Sequence, residues 1–410
     1  MLRAELLRDG DDPGRLTVRV FIPATDDLAA WAATHQERME ELRAELSLRL
    51  PSARLLEFTP DAPDAPVLSM PDDGSLATGQ LSSRDIVIKA LALLRENYVF
   101  PELAEQVAIG VETRLAAGEY DNLDEITLTE LLTGHLQEAT GDKHLRVRLG
   151  GGPGPDRRRE GDKPADRQPD RQKVRQIGRL DNFGIHRVER LDGNIGYLDL
   201  RRVPVPENAG PAIAAAMELV SGTYALIIDL RQNGGGSPDG VAFWCSYLLP
   251  EEPVHLNDIF HADTGEIRQF WSLPYLPGSR YPDRPVYVLI SSRTFSGGEE
   301  FCYNLQALGR AELIGETTSG GAHPTRPFPI SAAVSIAVPF ARSINPITGT
   351  NWQGTGVIPD TPALADEAYR VAYEKALRHV IELGDVPQPI AGEARDTLST
   401  LTGGEASEPR

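Results

Sequence analysis

The sequence predicts an α/β core preceded by a helical bundle and a small appended α+β segment, and three observations carry that prediction. Two short runs, 224–230 (YALIIDL) and 285–290 (PVYVLI), are nearly all apolar and rich in β-branched residues, as strands buried on both faces are. Each leads through a glycine-bearing turn into helical spacing, 238–248 in one case and Phe301, Leu305 and Leu308 in the other, which is the alternation of an α/β core. Ahead of them, 82–140 carries helical spacing throughout, with no strand pattern between.

In chain order, residues 1–80 divide into a strand at 16–22, a helix at 27–48 and a strand at 54–58. Leu28, Trp31, His35, Met39, Leu42 and Leu46 share one stripe of that helix, so His35 reads as a packed histidine. A proline-rich stretch, 60–71, closes the segment. Ser82 and Asp85 then form a capping pair ahead of Ile86, Val87, Ala90, Leu91 and Leu94, and Pro101 suits the first turn of a second helix. A third helix, 128–139, ends at Thr140-Gly141-Asp142, and 143–149 alternates as a strand does. The bundle domain therefore spans 81–149, with His144 where helix hands over to strand.

Between 156 and 175 eight basic residues stand among five acids with scarcely an apolar side chain, so 150–180 reads as a charged, solvated linker. The core, 181–385, has strands at 195–200, 224–230, 285–290, 311–314 and 332–339 and helices at 209–220, 238–248 and 363–383. The tail, 386–410, is acidic and rich in small residues and is expected to be mobile.

A chain of 410 residues with 40% apolar content is long enough for two or three domains and a large core. Its formal charge of −19 argues against a nucleic-acid partner, because neutralising phosphates needs a concentrated basic surface. Only Cys245 and Cys302 occur, without CxxC spacing, so neither a disulfide framework nor a zinc knot is indicated. No run of about eighteen apolar residues and no apolar leader follows Met1, so the expectation is a cytoplasmic protein with no membrane partner. No HExxH or comparable spacing marks a metal site.

The chemistry concentrates in Thr294-Phe295-Ser296-Gly297-Gly298-Glu299, where a buried strand delivers a serine to the first turn of a helix. Unpaired N–H groups and the positive end of the helix dipole favour an oxyanion there. A helix N-cap is the competing reading, with Glu299 completing a capping box three residues on. The loop Asn233-Gly234-Gly235-Gly236-Ser237 follows the other buried strand, and its glycines free the backbone to turn N–H groups toward a ligand. It lacks the lysine of a phosphate loop and does not fit GxGxxG.

The bundle ending in His144, followed by DLRQNGGG, TFSGGEEF, GETTSGGAHP and NWQGTGVIPD, resembles the tricorn and C-terminal-processing serine peptidase family. The nearer likeness is to the branch that includes interphotoreceptor retinoid-binding protein and its bacterial relatives. The resemblance covers about 82–383 and implies a crotonase-like β-superhelical core, no PDZ insert, peptide or protein substrates and no cofactor. It makes Ser296 the nucleophile, Gly297 one half of the oxyanion hole, Gly235 or Gly236 the other half, and His144 the base. Processing peptidases place a general-base lysine where this chain has Gly321, which excludes a Ser-Lys dyad there. Gln353 stands where the family has a glutamate, and is expected to orient the serine–histidine pair by hydrogen bonding alone. Lys143 stands beside His144 where tricorn has a serine, and His323, after a glycine turn, is the alternative base. On the same scaffold, the alternative function is a non-catalytic binder of an apolar ligand or peptide.

Overall fold

The computed structural model describes residues 3–8, 16–22, 53–60, 68–69, 81–150, 171–331 and 333–403. Near the N-terminus, strands β1 (Arg3–Arg8), β2 (Leu16–Ile22), β3 (Ala53–Pro60) and β4 (Leu68–Ser69) form one sheet in that order, with β2 and β3 parallel and the other pairs antiparallel. The helix expected at 27–48 lies outside the described residues.

Helices α1 (Ser83–Asn97), α2 (Pro101–Ala116) and α3 (Glu125–Thr140) follow. Ser82 caps α1 through a full capping box with Asp85, Asp124 caps α3, and Gly141 ends α3 in the left-handed conformation at φ 66°. Strand β5 (Arg146–Leu149), shorter than the strand expected at 143–149, pairs antiparallel with β14 (Val334–Pro339), which also pairs with β13 (Thr325–Pro329). The apolar faces of α1 to α3 share one core with Val147, Ile330, Val334, Ile336 and Val338. The helices are thereby packed onto a sheet made partly of the later chain, which fixes the 141–144 turn against the core.

The charged linker expected over 150–180 is corrected at its end, where Arg171–Leu180 is a helix, α4. Its anchor is Gly178, packed so closely on Phe183 that a Cβ there would lie 2.6 Å from the ring. That contact depends on the fold of the next segment, so no local pattern announces it.

The central sheet holds β6 (Ile185–Leu191), β7 (Ile195–Leu200), β8 (Ala225–Asp229), β11 (Val286–Ile290), β12 (Glu312–Gly315) and β16 (Thr361–Pro362), in the spatial order β16-β12-β11-β8-β7-β6. All neighbours are parallel except β6 and β7. The strands serve two cores by alternation. Leu226, Ile228, Val286, Val288 and Ile290 face α5 (Pro206–Val220), α6 (Pro238–Leu248) and α7 (Gly297–Ala307), while Ile227, Tyr287 and Leu289 face α8 (Ala368–Glu382). A fourth sheet, antiparallel, holds β10 (Ile267–Trp271), β9 (His255–His261) and β15 (Ala341–Ile344); it adds Leu256 to the first of these cores and closes a small cluster of Ile259, Phe270 and Ala341.

The mobile tail expected over 386–410 is also corrected, because Gln388–Gly403 forms a helix, α9. Its small residues permit close packing instead of disorder. Ala391 and Ala394 are buried, a Cβ on Gly193 would sit 3.3 Å from that of Ala394, and Glu393 accepts hydrogen bonds from Arg190 and the Gly193 N–H. Residues 404–410 lie outside the described residues.

Candidate active site

Parallel sheets open their binding crevices at the carboxyl ends of the strands, and this one carries its glycine-rich segments there, after β8, β11 and β12. The loop after β8 is held by Asn233, which is fully buried. Its Nδ2 donates to Leu200 O at 2.7 Å, its Oδ1 accepts the Gly235 N–H at 2.8 Å, and its own carbonyl accepts the Phe295 N–H at 3.0 Å. The loop after β11 is pinned by Thr294 Oγ1, which donates to Leu230 O and accepts from Ser291 N.

Between these loops sits Ser296, at φ 55° and ψ −123°, a backbone conformation that L side chains rarely adopt. Such strain persists only where the surroundings impose it, and it aims a side chain off a sharp strand-to-helix turn. Gly235 is the neighbour that permits it. A Cβ at Gly235 would lie 2.7 Å from Ser296 Cβ, and the residue itself has φ 95°. Gly297 meets Gly236 with equal closeness, a Cβ there falling 2.9 Å from Gly236 N.

These contacts settle which N–H groups are free. The Gly235 N–H is already donated to Asn233, which corrects the expectation that it faces an oxyanion. Among the described residues, the N–H groups of Gly236 and Gly297 have no protein acceptor. Both stand beside Ser296.

Glu299, read from the sequence only as a capping residue, ties the serine to the loop after β12. Its Oε2 accepts the N–H groups of Ser296 (2.8 Å) and Gly321 (2.9 Å), and its Oε1 accepts Thr318 Oγ1 and the Gly320 N–H. Burial raises the Glu299 carboxyl above its ordinary range, against the pull of those four donors. The sequence signal was present in the capping box; its burial and its three further donors were not legible.

His144 reaches this centre from the turn between α3 and β5. Its ring stacks on Phe295 at 4.4 Å between centroids, and its Cε1 lies 2.7 Å from where a Cβ on Gly321 would be. A side chain at 321, lysine included, would collide with both rings, so Gly321 admits the histidine as well as removing the lysine. Burial lowers the His144 pKa to about 4, with Asp142 opposing and His323 reinforcing the shift. Its Nδ1 is buried without a hydrogen-bond partner. Among the described residues, no hydrogen bond joins Ser296 Oγ to either imidazole.

His323 lies in the same cluster but is engaged differently. Only 4% exposed, it bonds through Nδ1 to Asp142 Oδ2 at 2.6 Å and meets the edge of Phe100. In the sequence Asp142 reads only as a helix end, and its burial to 1% is what identifies it. Lys143 points away, its Nζ donating to Ser319 O.

Gln353 does not hold the serine or His144, which corrects that expectation. Its Oε1 accepts the Ala322 N–H at 2.8 Å and its Nε2 donates to Gly141 O at 3.3 Å, so the amide bridges the residues just before His323 and Asp142. A glutamate would lack the second of these bonds. Trp352, nearly fully buried, donates to Gly321 O from the same loop. A separate cavity of about 830 Å³, lined by Arg201, Arg231, Ser291 and Arg293 among others, includes neither Ser296 nor His144.

The model of peptidase family S41 matches residues 194–363, and that of the N-terminal domain of peptidase S41 in eukaryotic IRBP matches 78–176. The carboxyl-terminal-processing protease of Synechocystis sp. (PCC 6803) is 26% identical over 215 residues, 52% of this chain and 45% of that one, so less than half of that relative is spanned. A crystal structure of a protein from Parabacteroides merdae superposes with a TM-score of 0.51 at 19% identity, covering 73% of this chain and 98% of that one, a likeness of fold. The tricorn protease structure is similar at a TM-score of 0.45 and 15% identity over 82% of this chain and 38% of that one. The chain, an α/β protein with a mixed sheet, thus carries a peptidase family S41 domain over 194–363, preceded over 78–176 by an N-terminal domain of the type found in eukaryotic IRBP.

Proposed function

We propose that the protein hydrolyses peptide bonds with Ser296 as nucleophile, His144 as general base and the Gly236 and Gly297 N–H groups as oxyanion hole. The observation that carries this reading is the strained Ser296 turn with two adjacent, unoccupied N–H donors. A helix cap alone needs neither the positive φ nor the free donors. In the reaction, Ser296 Oγ would attack the scissile carbonyl while His144 takes its proton, and the two N–H groups would receive the developing negative oxygen. The same imidazole would then return the proton to the leaving amine.

A base must be neutral to act, and His144, held near 4, is neutral at ordinary pH. The same desolvation makes it a weak base until something stabilises its imidazolium. Ser296 and His144 also have to close on each other, since proton transfer needs about 2.6 to 3.2 Å. The crotonase-like β-superhelical description of the core and peptide or protein substrates belong to this proposal, supported by the peptidase family S41 match over 194–363. The buried, unpaired Cys245 and Cys302 fit the reducing, cytoplasmic location we propose with it.

Two observations favour the second reading, a non-catalytic binder. Gln353 carries no charge, and the His144 Nδ1 has no partner. The deciding experiment presents a mixed peptide library and reads cleavage by mass spectrometry. Hydrolysis lost in Ser296→Ala and reduced at least about 100-fold in His144→Gln is expected. Peptide binding without cleavage in the native protein would favour the binder.

A further inference from the structure

One buried carboxylate of the site has no role in the mechanism above. Asp142 Oδ1 accepts the His144 backbone N–H at 3.0 Å, and Oδ2 accepts from His323 Nδ1 at 2.6 Å and from the Tyr98 hydroxyl at 3.4 Å. A carboxylate this deeply buried is costly unless it is saturated with donors or faces a positive charge. Its donors come from both segments that frame the site, the 141–144 turn and the 320–323 loop, and from Tyr98 at the end of α1. Gln353 joins the same two segments through Gly141 O and Ala322 N, but brings no charge.

His144 meanwhile needs a counter-charge. Asp142 favours its protonated form, and His323, Arg146 and Arg148 oppose it. Lys143, the remaining charged neighbour on the turn, is committed to Ser319 O. Among these groups only Asp142 is negative.

We propose that Asp142 is the positioning carboxylate of this site, supplying the negative charge that glutamine at 353 cannot and holding the His144 backbone, while His323 keeps the carboxylate in place. The proposal rests on the Ser296–His144 reading. As the bond from Ser296 Oγ to the carbonyl carbon forms, the hydroxyl proton passes to the His144 imidazole and the carbonyl electron pair moves to oxygen. Asp142 has no part in that transfer and serves only to orient, as such carboxylates do. His323 is thus a partner of the carboxylate and not the base.

The test compares native protein, Asp142→Asn, Gln353→Glu and the double variant Asp142→Asn/Gln353→Glu. Two readouts are taken: the rate of fluorophosphonate labelling at Ser296, and the protonation midpoint of His144 by ¹⁵N-histidine NMR. Asp142→Asn is expected to slow labelling by about 100-fold or more and to lower the His144 midpoint. Moving the charge to 353 in the double variant should restore at least about tenfold of the rate and raise the midpoint again, which a merely structural aspartate would not allow. Gln353→Glu alone should gain less than about tenfold, because the charge is already present. Native rate and midpoint in Asp142→Asn, or a gain above about 100-fold in Gln353→Glu alone, would overturn the proposal. The single Gln353→Glu variant keeps the question decidable should Asp142→Asn unfold. If native Ser296 takes no label, the hydrolase reading falls, and the His144 midpoints alone decide the role of Asp142.

Discussion

Ser296 pays for its geometry in backbone strain, since a serine at φ 55° and ψ −123° lies outside the regions L residues favour. Such strain costs about 1 to 3 kcal/mol, and glycine would relieve it while losing about 0.5 to 1 kcal/mol in chain entropy. Ser296→Gly is therefore expected to raise stability by about 1 kcal/mol in denaturant unfolding while abolishing labelling; a loss of stability would show that the turn is not strained. Gly235→Ala should act oppositely. Its Cβ would meet Ser296 Cβ at 2.7 Å and its φ is 95°, so a loss of about 2 kcal/mol or more and of labelling is expected, measured the same way. The serine, both histidines, Gly236 and Gly297 were legible because motif order and strand-helix spacing mark them. Asp142, Asn233 and the donors of Glu299 were not, since each acts through burial and through partners far along the chain. The Gly235 error has the same root, because a glycine shows that a backbone is free to turn and not where its N–H points.

At the scale of elements, the first turn of α7 carries two buried acids with opposite fates. Glu299 is saturated by four donors from two segments, and an amide there would turn an NH₂ group toward N–H donors. Glu299→Gln should cost about 3 kcal/mol or more in unfolding free energy; an unchanged stability would show the network to be dispensable. Glu300 is fully desolvated, with Oε1 unpartnered, and burial pushes its carboxyl up to about 8. The folded state thus holds a proton that the unfolded chain releases near 4.5, so this contribution is intact below pH 4.5 and is lost as pH rises toward 8. Glu300→Gln should flatten that slope, leaving the variant more stable than the native protein by a few kcal/mol above pH 8 and no more stable below pH 4.5. Equal slopes in chemical denaturation across pH would refute it. Periodicity marked the helices α1 to α3 and α5 to α8 and the strands β2, β3, β7, β8, β11, β12 and β14 to within a few residues, but left β6, β9, β10, β13 and β15 unread, because their inward and outward faces are set by neighbours far along the chain. α4 and α9 escaped because Gly178 and the alanines of α9 pack by being small, and in sequence smallness reads as flexibility.

Across the whole molecule, the site exists only because distant segments meet. The bundle supplies His144 and Asp142 by adding β5 beside β14, and the central sheet supplies Ser296 and the glycine loops. His144 couples that assembly to pH. Its folded pKa of about 4 lies below the 6.5 of an unperturbed histidine, so the unfolded chain binds the proton first and stability falls as pH drops from 6.5 to 4. Cleavage should follow the same group, with an acid limb near 4 that shifts in Asp142→Asn. The central claim, that Ser296 is an activated nucleophile, is tested most directly by intact-mass spectrometry after fluorophosphonate treatment, with the adduct mapped by peptide digestion. We predict one adduct per chain, on Ser296, absent from Ser296→Ala and formed much more slowly in His144→Gln. A folded native protein that stays unmodified, or an adduct that survives Ser296→Ala, would contradict it.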